Sequence, residues 1–406
     1  MKKRLLILGV LLWSFILTGC SSNLTGDNKS TLTTEEKIED FEQMYSEVEK
    51  GYPFLEVNKR LNDIDFLAEK NKFKEMITKT SSDDEFIYTL NLILRELVNK
   101  HNGVLNSKSS FDFFRELYKN SGILYFPVFD DEDVIKRYNS MESANDKSSK
   151  ISASNYKDIE MFDVDEKEIA YIKIHQMNSA NESVKDDMAR IEKYLKNRQN
   201  YKALIIDIRG NRGGNDSYWT NLVSVITDKD YKMGGYNLFR SDSKAVNDYL
   251  NLKGEELHNI NELPKTVVEK APPETTKLFD KFTYNEDEIT GDSKYPFKGN
   301  IYLLTDSKVF SSAESFAIFC KEKNFATVVG CKTAGDGGGV DPLFFKLDNS
   351  GLLVRMSSDM YLTESGICDE EEKVTPDIFI DDSPEFGRVT PLDTYINKIR
   401  EIENIK

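Results

Sequence analysis

Three short segments carry residue types able to do covalent chemistry. The first is Asp306-Ser307-Lys308-Val309-Phe310-Ser311-Ser312-Ala313-Glu314, directly after the apolar run 301–305. A serine between a strand and a helix exposes its hydroxyl and faces the helix N-terminal N–H groups. The same position also suits a serine that merely caps the helix. The second segment is Arg209-Gly210-Asn211-Arg212-Gly213-Gly214, after the apolar run 203–208. Residues without side chains let backbone N–H groups approach a ligand oxygen or a developing oxyanion, although a tight turn needs them equally. No Gly-Lys-Ser/Thr follows, which argues against a phosphate-binding loop. The third is His101, whose residue type suits general-base work but is also common at helix ends.

These segments need elements to hold them. Thr33 with Glu36 predicts a capping box, and Ile38, Phe41, Tyr45 and Val48 then share a helical face. Further helices are expected over 63–78 and from Ser82 or Asp84 through Leu97, the last running into Asn99-Lys100-His101-Asn102. The chain 35–102 therefore reads as a small helical domain with a histidine at its exit. The stretch 103–168 reads as an irregular connection, with a polar loop over 139–155. From 169 onward, apolar strands alternate with helices: 169–174, 203–208, 301–305 and 326–330 as strands, 344–347 and 352–356 as an antiparallel pair. Asn215 or Asp216 is placed to cap a helix running to about 227. The stretch 229–298 is polar and poorly periodic, and reads as a surface insertion in a core spanning 169–400. The fold class is α/β.

The 406 residues carry a net charge of −16, and such a chain repels phosphates and anionic headgroups, which excludes nucleic acid as a partner. Residues 1–19 differ from the rest. Lys2, Lys3 and Arg4 precede an apolar run over 5–17, too short to span a bilayer comfortably, which ends in Leu17-Thr18-Gly19-Cys20. This order is similar to a bacterial lipoprotein signal. It implies cleavage before Cys20, lipidation of that residue, a flexible tether over 20–34, and a protein held extracytoplasmically on the bacterial cell membrane. Cys320, Cys331 and Cys368 match no zinc spacing and read as buried thiols, although a Cys331–Cys368 bridge remains open. With three histidines in all, no metal site and no cofactor is expected.

Four segments, in order, resemble the tail-specific, or C-terminal processing, serine peptidases. Residues 203–214 resemble that family's strand and Asp-x-Arg-x-Asn-x-Gly-Gly turn, and 301–317 its nucleophile turn. Residues 328–335 resemble its Val-Val-Gly-x-x-Thr-x-Gly segment, and 370–377 its closing Glu-x-x-Gly-Val-x-Pro-Asp. The resemblance implies a crotonase-like α/β core with a mixed sheet and flanking helices behind a helical leader. It also implies a serine-type endopeptidase acting on proteins or peptides. Glu314 holds the family's glutamate three residues after the nucleophile, which selects Ser311 over Ser312. Where the lysine-dependent branch keeps its base, this chain reads Gly335-Asp336-Gly337. The branch resembling the tricorn protease core instead takes a histidine from the helical region, and His101 fits it. Asn99, Lys100 and Asn102 depart from that branch's Asp-Gly-His-Thr pattern. The resemblance then assigns Glu370 to polarise His101, with Asp369, Glu371 and Glu372 as neighbouring candidates. The oxyanion hole would be Ser312 N–H with Gly213 or Gly214. A rival reading keeps the fold as a peptide- or ligand-binding lipoprotein without catalysis.

Overall fold

The computed structural model describes residues 32–121, 124–141, 158–179, 183–381 and 392–405. The leader, Cys20 and most of the tether lie outside them.

The N-terminal part opens as its capping signals predict. α1 (Thr34–Gly51) starts with the Thr33–Glu36 capping box. α2 (Leu55–Asn62) and α3 (Lys70–Thr78) follow. α4 (Asp83–Arg95) begins at Ser82, whose Oγ accepts the Glu85 N–H at 3.1 Å. The chain then turns through 99–102 into β1 (Gly103–Val104). The segment expected to be irregular holds two more helices, α5 (Lys108–Ser121) and α6 (Glu132–Ser140). Phe111, Tyr118 and Tyr138 from them are buried in a shared aromatic cluster. That spacing is helical, but the polar residues around it mask the stripe.

The α/β part starts with β2 (Glu160–Asp165), β3 (Ile169–Lys173), α7 (Val184–Leu195), β4 (Ala203–Asp207) and α8 (Asp216–Ile226). Asn215 caps α8 through its side chain. The expected surface insertion is structured. It contains β5 (Tyr231–Phe239), α9 (Lys244–Lys253), β6 (His258–Asn259), α10 (Lys265–Val268), α11 (Thr275–Leu278) and β7 (Lys281–Ile289). β5 and β7 pair antiparallel over nine residues each. Residues 284–288 of β7 are exposed in succession, so Asn285, Glu286 and Glu288 sit inside a regular strand without an alternating pattern and make it look like loop. The chain continues with β8 (Asn300–Thr305), α12 (Ser312–Glu322), β9 (Thr327–Gly330), β10 (Leu343–Lys346), β11 (Leu353–Met356), β12 (Met360–Thr363), α13 (Asp369–Glu372), β13 (Ile378–Phe379) and α14 (Leu392–Glu403).

Among the described residues, six strands form a mixed sheet in the order β13-β9-β8-β4-β3-β2, parallel except for the β2 edge. Both faces are covered. Leu204, Ile206 and Leu303 face α7, α8 and α12, while Ile205, Tyr302 and Leu304 pack against Tyr395, Ile396 and Ile399 of α14. Burial on both sides explains why these strands read as unbroken apolar runs. Two smaller sheets, β12-β5-β7-β6 and β1-β11-β10, join the N-terminal helices in a separate core.

Candidate active site

The site lies where the C-terminal ends of β4 and β8 meet the exit of α4. Asp207, the last residue of β4, is fully buried, and its carboxylate takes Lys173 Nζ at 2.9 Å, Tyr171 Oη at 2.7 Å and Arg209 Nη2 at 2.7 Å. Burial opposes its charge, but Arg209 and Lys173 outweigh that and hold its pKa below the usual range. This anchor directs the 209–214 turn. Asp306, just past β8, accepts the Gly210 N–H at 2.9 Å and the Lys308 N–H at 3.0 Å, locking that turn to the one carrying Ser311.

Ser311 stands at the N-cap position of α12 with φ 59° and ψ −131°, and its side chain makes no capping bond. A non-glycine residue in that conformation costs roughly 1–3 kcal/mol. Ser312, one residue on, is buried. Gly213 and Gly214 press against this turn with φ of 95° and 148°. A Cβ on Gly213 would lie 2.8 Å from Phe310 O, 2.9 Å from Ser311 Cβ and 3.0 Å from Ser312 N. A Cβ on Gly214 would lie 2.4 Å from Met177 O. The Gly213 N–H is already donated to Asn211 Oδ1 at 2.9 Å, so it is spent within the turn. The bridge to Met177 uses Gly213 O and the Asn215 N–H, leaving the Gly214 N–H outside it. Ser312 is the first residue of α12, where an N–H has no intrahelical acceptor.

His101 arrives from the other core. Its ring packs on Phe310, next to Ser311, at 4.9 Å between centroids. Its Nδ1 lies 2.7 Å from Asp336 Oδ2. An ionised carboxylate only accepts, so the proton between the two sits on Nδ1, and Nε2 is the ring nitrogen left for base work. Ser311 Oγ makes no hydrogen bond among the described residues. Catalytic contacts of this kind often close only around substrate. Asn99 donates from Nδ2 to Asp336 Oδ2 at 2.7 Å and accepts the His101 N–H at 2.8 Å.

The expected partner, Glu370, is not within ion-pair distance of the imidazole; among the described residues Asp336 is the carboxylate there. Glu370 lies beneath the turn, where a Cβ on Gly335 would meet its Oε2 at 2.8 Å. Burial first, then the Asp336 charge, push its pKa well above the usual range. Asp369 accepts the Gly337 N–H at 2.8 Å, and Glu371 pairs with Arg60 at 2.7 Å, so neither reaches His101. Glu372 closes α13 in the same acidic turn. Glu314 is fully buried and bonds Thr333 Oγ1 and the Val374 N–H, bracing the turn behind Ser311. Burial raises its pKa and that of Asp369 beside it. Sequence reasoning saw Asp336 only as the residue standing where a lysine would be. Its pairing with His101 spans 235 residues and follows from β1 joining β11 (336 − 101 = 235).

Cys320, Cys331 and Cys368 are buried and form no disulfide, so the Cys331–Cys368 bridge is absent. Among the described residues no group of His, Cys, Asp and Glu could hold a metal, and no helix is long and apolar enough to cross a membrane. A cavity of about 680 Å³ lies at the opposite ends of the strands, lined by Thr227, Asn300, Thr327 and Asp377, and touches none of the site residues.

Residues 168–380 match the family model described as Peptidase family S41. A curated protein of Chlamydia trachomatis serovar D is 23% identical over 229 residues, 50% of this chain and 38% of that protein. The chain thus matches about two fifths of that relative's length. A crystal structure from Parabacteroides merdae ATCC 43184 shares the fold with a TM-score of 0.56 at 17% identity, covering 89% of this chain and 96% of that one. Mature CPAF complexed with lactacystin gives a TM-score of 0.56 at 13% identity, covering 91% and 98%. With the family model spanning 213 of 406 residues (380 − 168 + 1), the chain belongs to peptidase family S41, a family of serine-type peptidases that act on proteins or peptides.

Proposed function

We propose that this protein is a serine endopeptidase in which Ser311 is the nucleophile and His101 the general base. The observation that carries the reading is the backbone of Ser311. It is strained, begins a helix without capping it, and stands against a glycine turn and the ring of a histidine. A serine kept there only for stability would cap α12, as Ser82 caps α4. In the reaction, His101 Nε2 takes the Oγ proton as Oγ bonds to the substrate carbonyl carbon. The carbonyl oxygen becomes an oxyanion received by the N–H groups of Ser312 and Gly214. The C–N bond then breaks as His101 returns the proton to the leaving amine, and water releases the acyl group by the same steps reversed.

The substrates we propose are extracytoplasmic proteins or peptides, with the enzyme anchored through lipid on Cys20. Support for this is the order of basic residues, apolar run and Leu-Thr-Gly-Cys at 17–20, all outside the described residues. Hydrolysis of a fluorogenic peptide library by the full chain and by Ser311→Ala tests the chemistry. Turnover by the wild type that vanishes in Ser311→Ala supports it. A folded wild type inert to the whole library would favour the peptide-binding reading instead. For the anchor, Cys20→Ala should leave the membrane fraction or accumulate as precursor; retention there at the wild-type mature mass would refute it.

A further inference from the structure

The acidic group that works with His101 follows from how hydrogen bonds converge behind the ring. We propose that Asp336, and not Glu370, is the positioning carboxylate that fixes the His101 tautomer and balances the charge His101 acquires. This rests on the Ser311–His101 reading and specifies it.

Two donors meet at one oxygen. His101 Nδ1 and Asn99 Nδ2 each lie 2.7 Å from Asp336 Oδ2. The orientation of the Asn99 amide is set independently. Its Oδ1 accepts the His101 N–H at 2.8 Å and the Ser357 Oγ–H at 3.2 Å, so its nitrogen must be the end facing Asp336. An oxygen receiving two donors is an acceptor with no proton of its own. Both contacts favour the ionised form of Asp336 over the neutral acid, and charge-assisted bonds of this kind are the stronger ones. Burial works against that charge, but His101 and Asn99 outweigh it and hold the Asp336 pKa below the usual range.

Glu370 has the opposite surroundings. Its Oε2 is buried with no hydrogen-bond partner among the described residues. Two adjacent buried carboxyls do not both ionise cheaply, and at Glu370 burial and the Asp336 charge outweigh the help from Lys373 and Asn99, so Glu370 is the one that keeps its proton. A neutral carboxylic acid cannot balance an imidazolium.

The backbone adds a reason for Asp336 to sit where it does. The Ser311 N–H donates to Gly335 O at 3.2 Å, one residue before Asp336. The Gly337 N–H, one residue after it, is held by Asp369 Oδ2 at 2.8 Å. The turn that presents the carboxylate to the base is thus bonded directly to the nucleophile's own backbone. It sets base and nucleophile in one register.

The test uses the full chain carrying Asp336→Asn or Glu370→Gln, with kcat and KM for a cleaved peptide and the imidazole 15N spectrum of His101, assigned through His101→Gln. Asp336→Asn should lower kcat by about 10²–10⁴-fold with KM within about threefold, because the loss falls on the transition state. It should also erase the Nδ1-protonated signature of His101. Glu370→Gln should keep that signature and cost less in kcat. The proposal is overturned if Asp336→Asn retains rate and signature, or if Glu370→Gln removes the signature. Should Asp336→Asn fail to fold, the Glu370→Gln spectrum still decides. A wild type that neither turns over peptide nor labels at Ser311 would defeat the peptidase reading, while the spectra would still report on Asp336.

Discussion

Ser82 and Ser311 both begin helices, and they do opposite things. Ser82 has extended backbone, and its Oγ accepts the Glu85 N–H at 3.1 Å; it spends its hydroxyl on stability. Ser311 has φ 59°, gives its helix no side-chain bond, and leaves its hydroxyl available. The same contrast separates the regions around them. The N-terminal core is built of well-capped amphipathic helices and delivers one histidine on a turn. The sheet core ends in turns with positive φ, close glycine contacts and buried carboxyls. Ser311, Asp336, Gly213 and Gly214, gathered around the nucleophile, all have positive φ, and function is what tolerates such strain.

The contrast can be broken at several points. The largest effect should come from removing either half of the pair. Ser311→Ala or His101→Ala should lower kcat by about 10⁴–10⁶-fold, and the double variant should be no worse than the poorer single one, since the two act as a unit. Additive losses in the double variant would show that they do not. Thermal stability of Ser311→Ala should stay within about 0.5 kcal/mol of wild type, because no structural bond is lost.

Next is Gly213→Ala. The added Cβ meets Phe310 O and Ser311 Cβ on backbone that disfavours any side chain. Activity should fall by roughly 10²-fold or more, as losing one oxyanion donor does, through displacement of the Ser312 N–H. Unfolding free energy should drop by about 1–3 kcal/mol. Kinetics and denaturant melts on one preparation would check both.

A smaller effect is expected from Asp359. Burial raises its pKa to about 7, only partly offset by Asn237, whose Nδ2 bonds its Oδ2 at 2.8 Å. A folded pKa above the unfolded value near 4 means the native state holds the extra proton. Its stabilising contribution is complete below pH 4 and is lost as pH rises towards 7. Asp359→Asn should flatten that decline by about 1–3 kcal/mol across the window, read as unfolding free energy against pH. An unchanged slope would place the titration elsewhere.

The smallest effect is Ser82→Ala, expected to cost about 1 kcal/mol of stability with kcat unchanged. A kcat that fell with it would mean that the start of α4 is coupled to the His101 turn at its other end.

How much of this could be read from the chain follows the same division. The strands 203–208 and 301–305 were legible because burial on both faces leaves an unbroken apolar run. The caps at Thr33, Ser82 and Asn215 were legible because a cap is a local bond. α5 and α6 were not, since their aromatic stripe is interrupted by Lys, Asn and Ser facing solvent. The β5–β7 ribbon was hidden by the run of exposed, mostly acidic residues over 284–288, which breaks the strand alternation. At the site, the strand-to-helix turn at 306–314 and the glycine turn stood out by position, while the choice of Ser311 over Ser312 came from the family resemblance. The partner of His101 did not, because Asp336 reaches it only once β1 has joined β11 and the 335–339 turn has closed over Asn99. Local chemistry was visible in the sequence; the charge relation across two cores was set by topology.

The central claim is that Ser311 is the reactive serine. The most direct measurement treats the folded full chain with a fluorophosphonate probe and maps the modified peptide. A single adduct on Ser311 is expected, with Ser312 untouched and labelling strongly slowed in His101→Ala. An adduct on Ser312 with Ser311 unmodified, or no adduct on the folded protein, would contradict it.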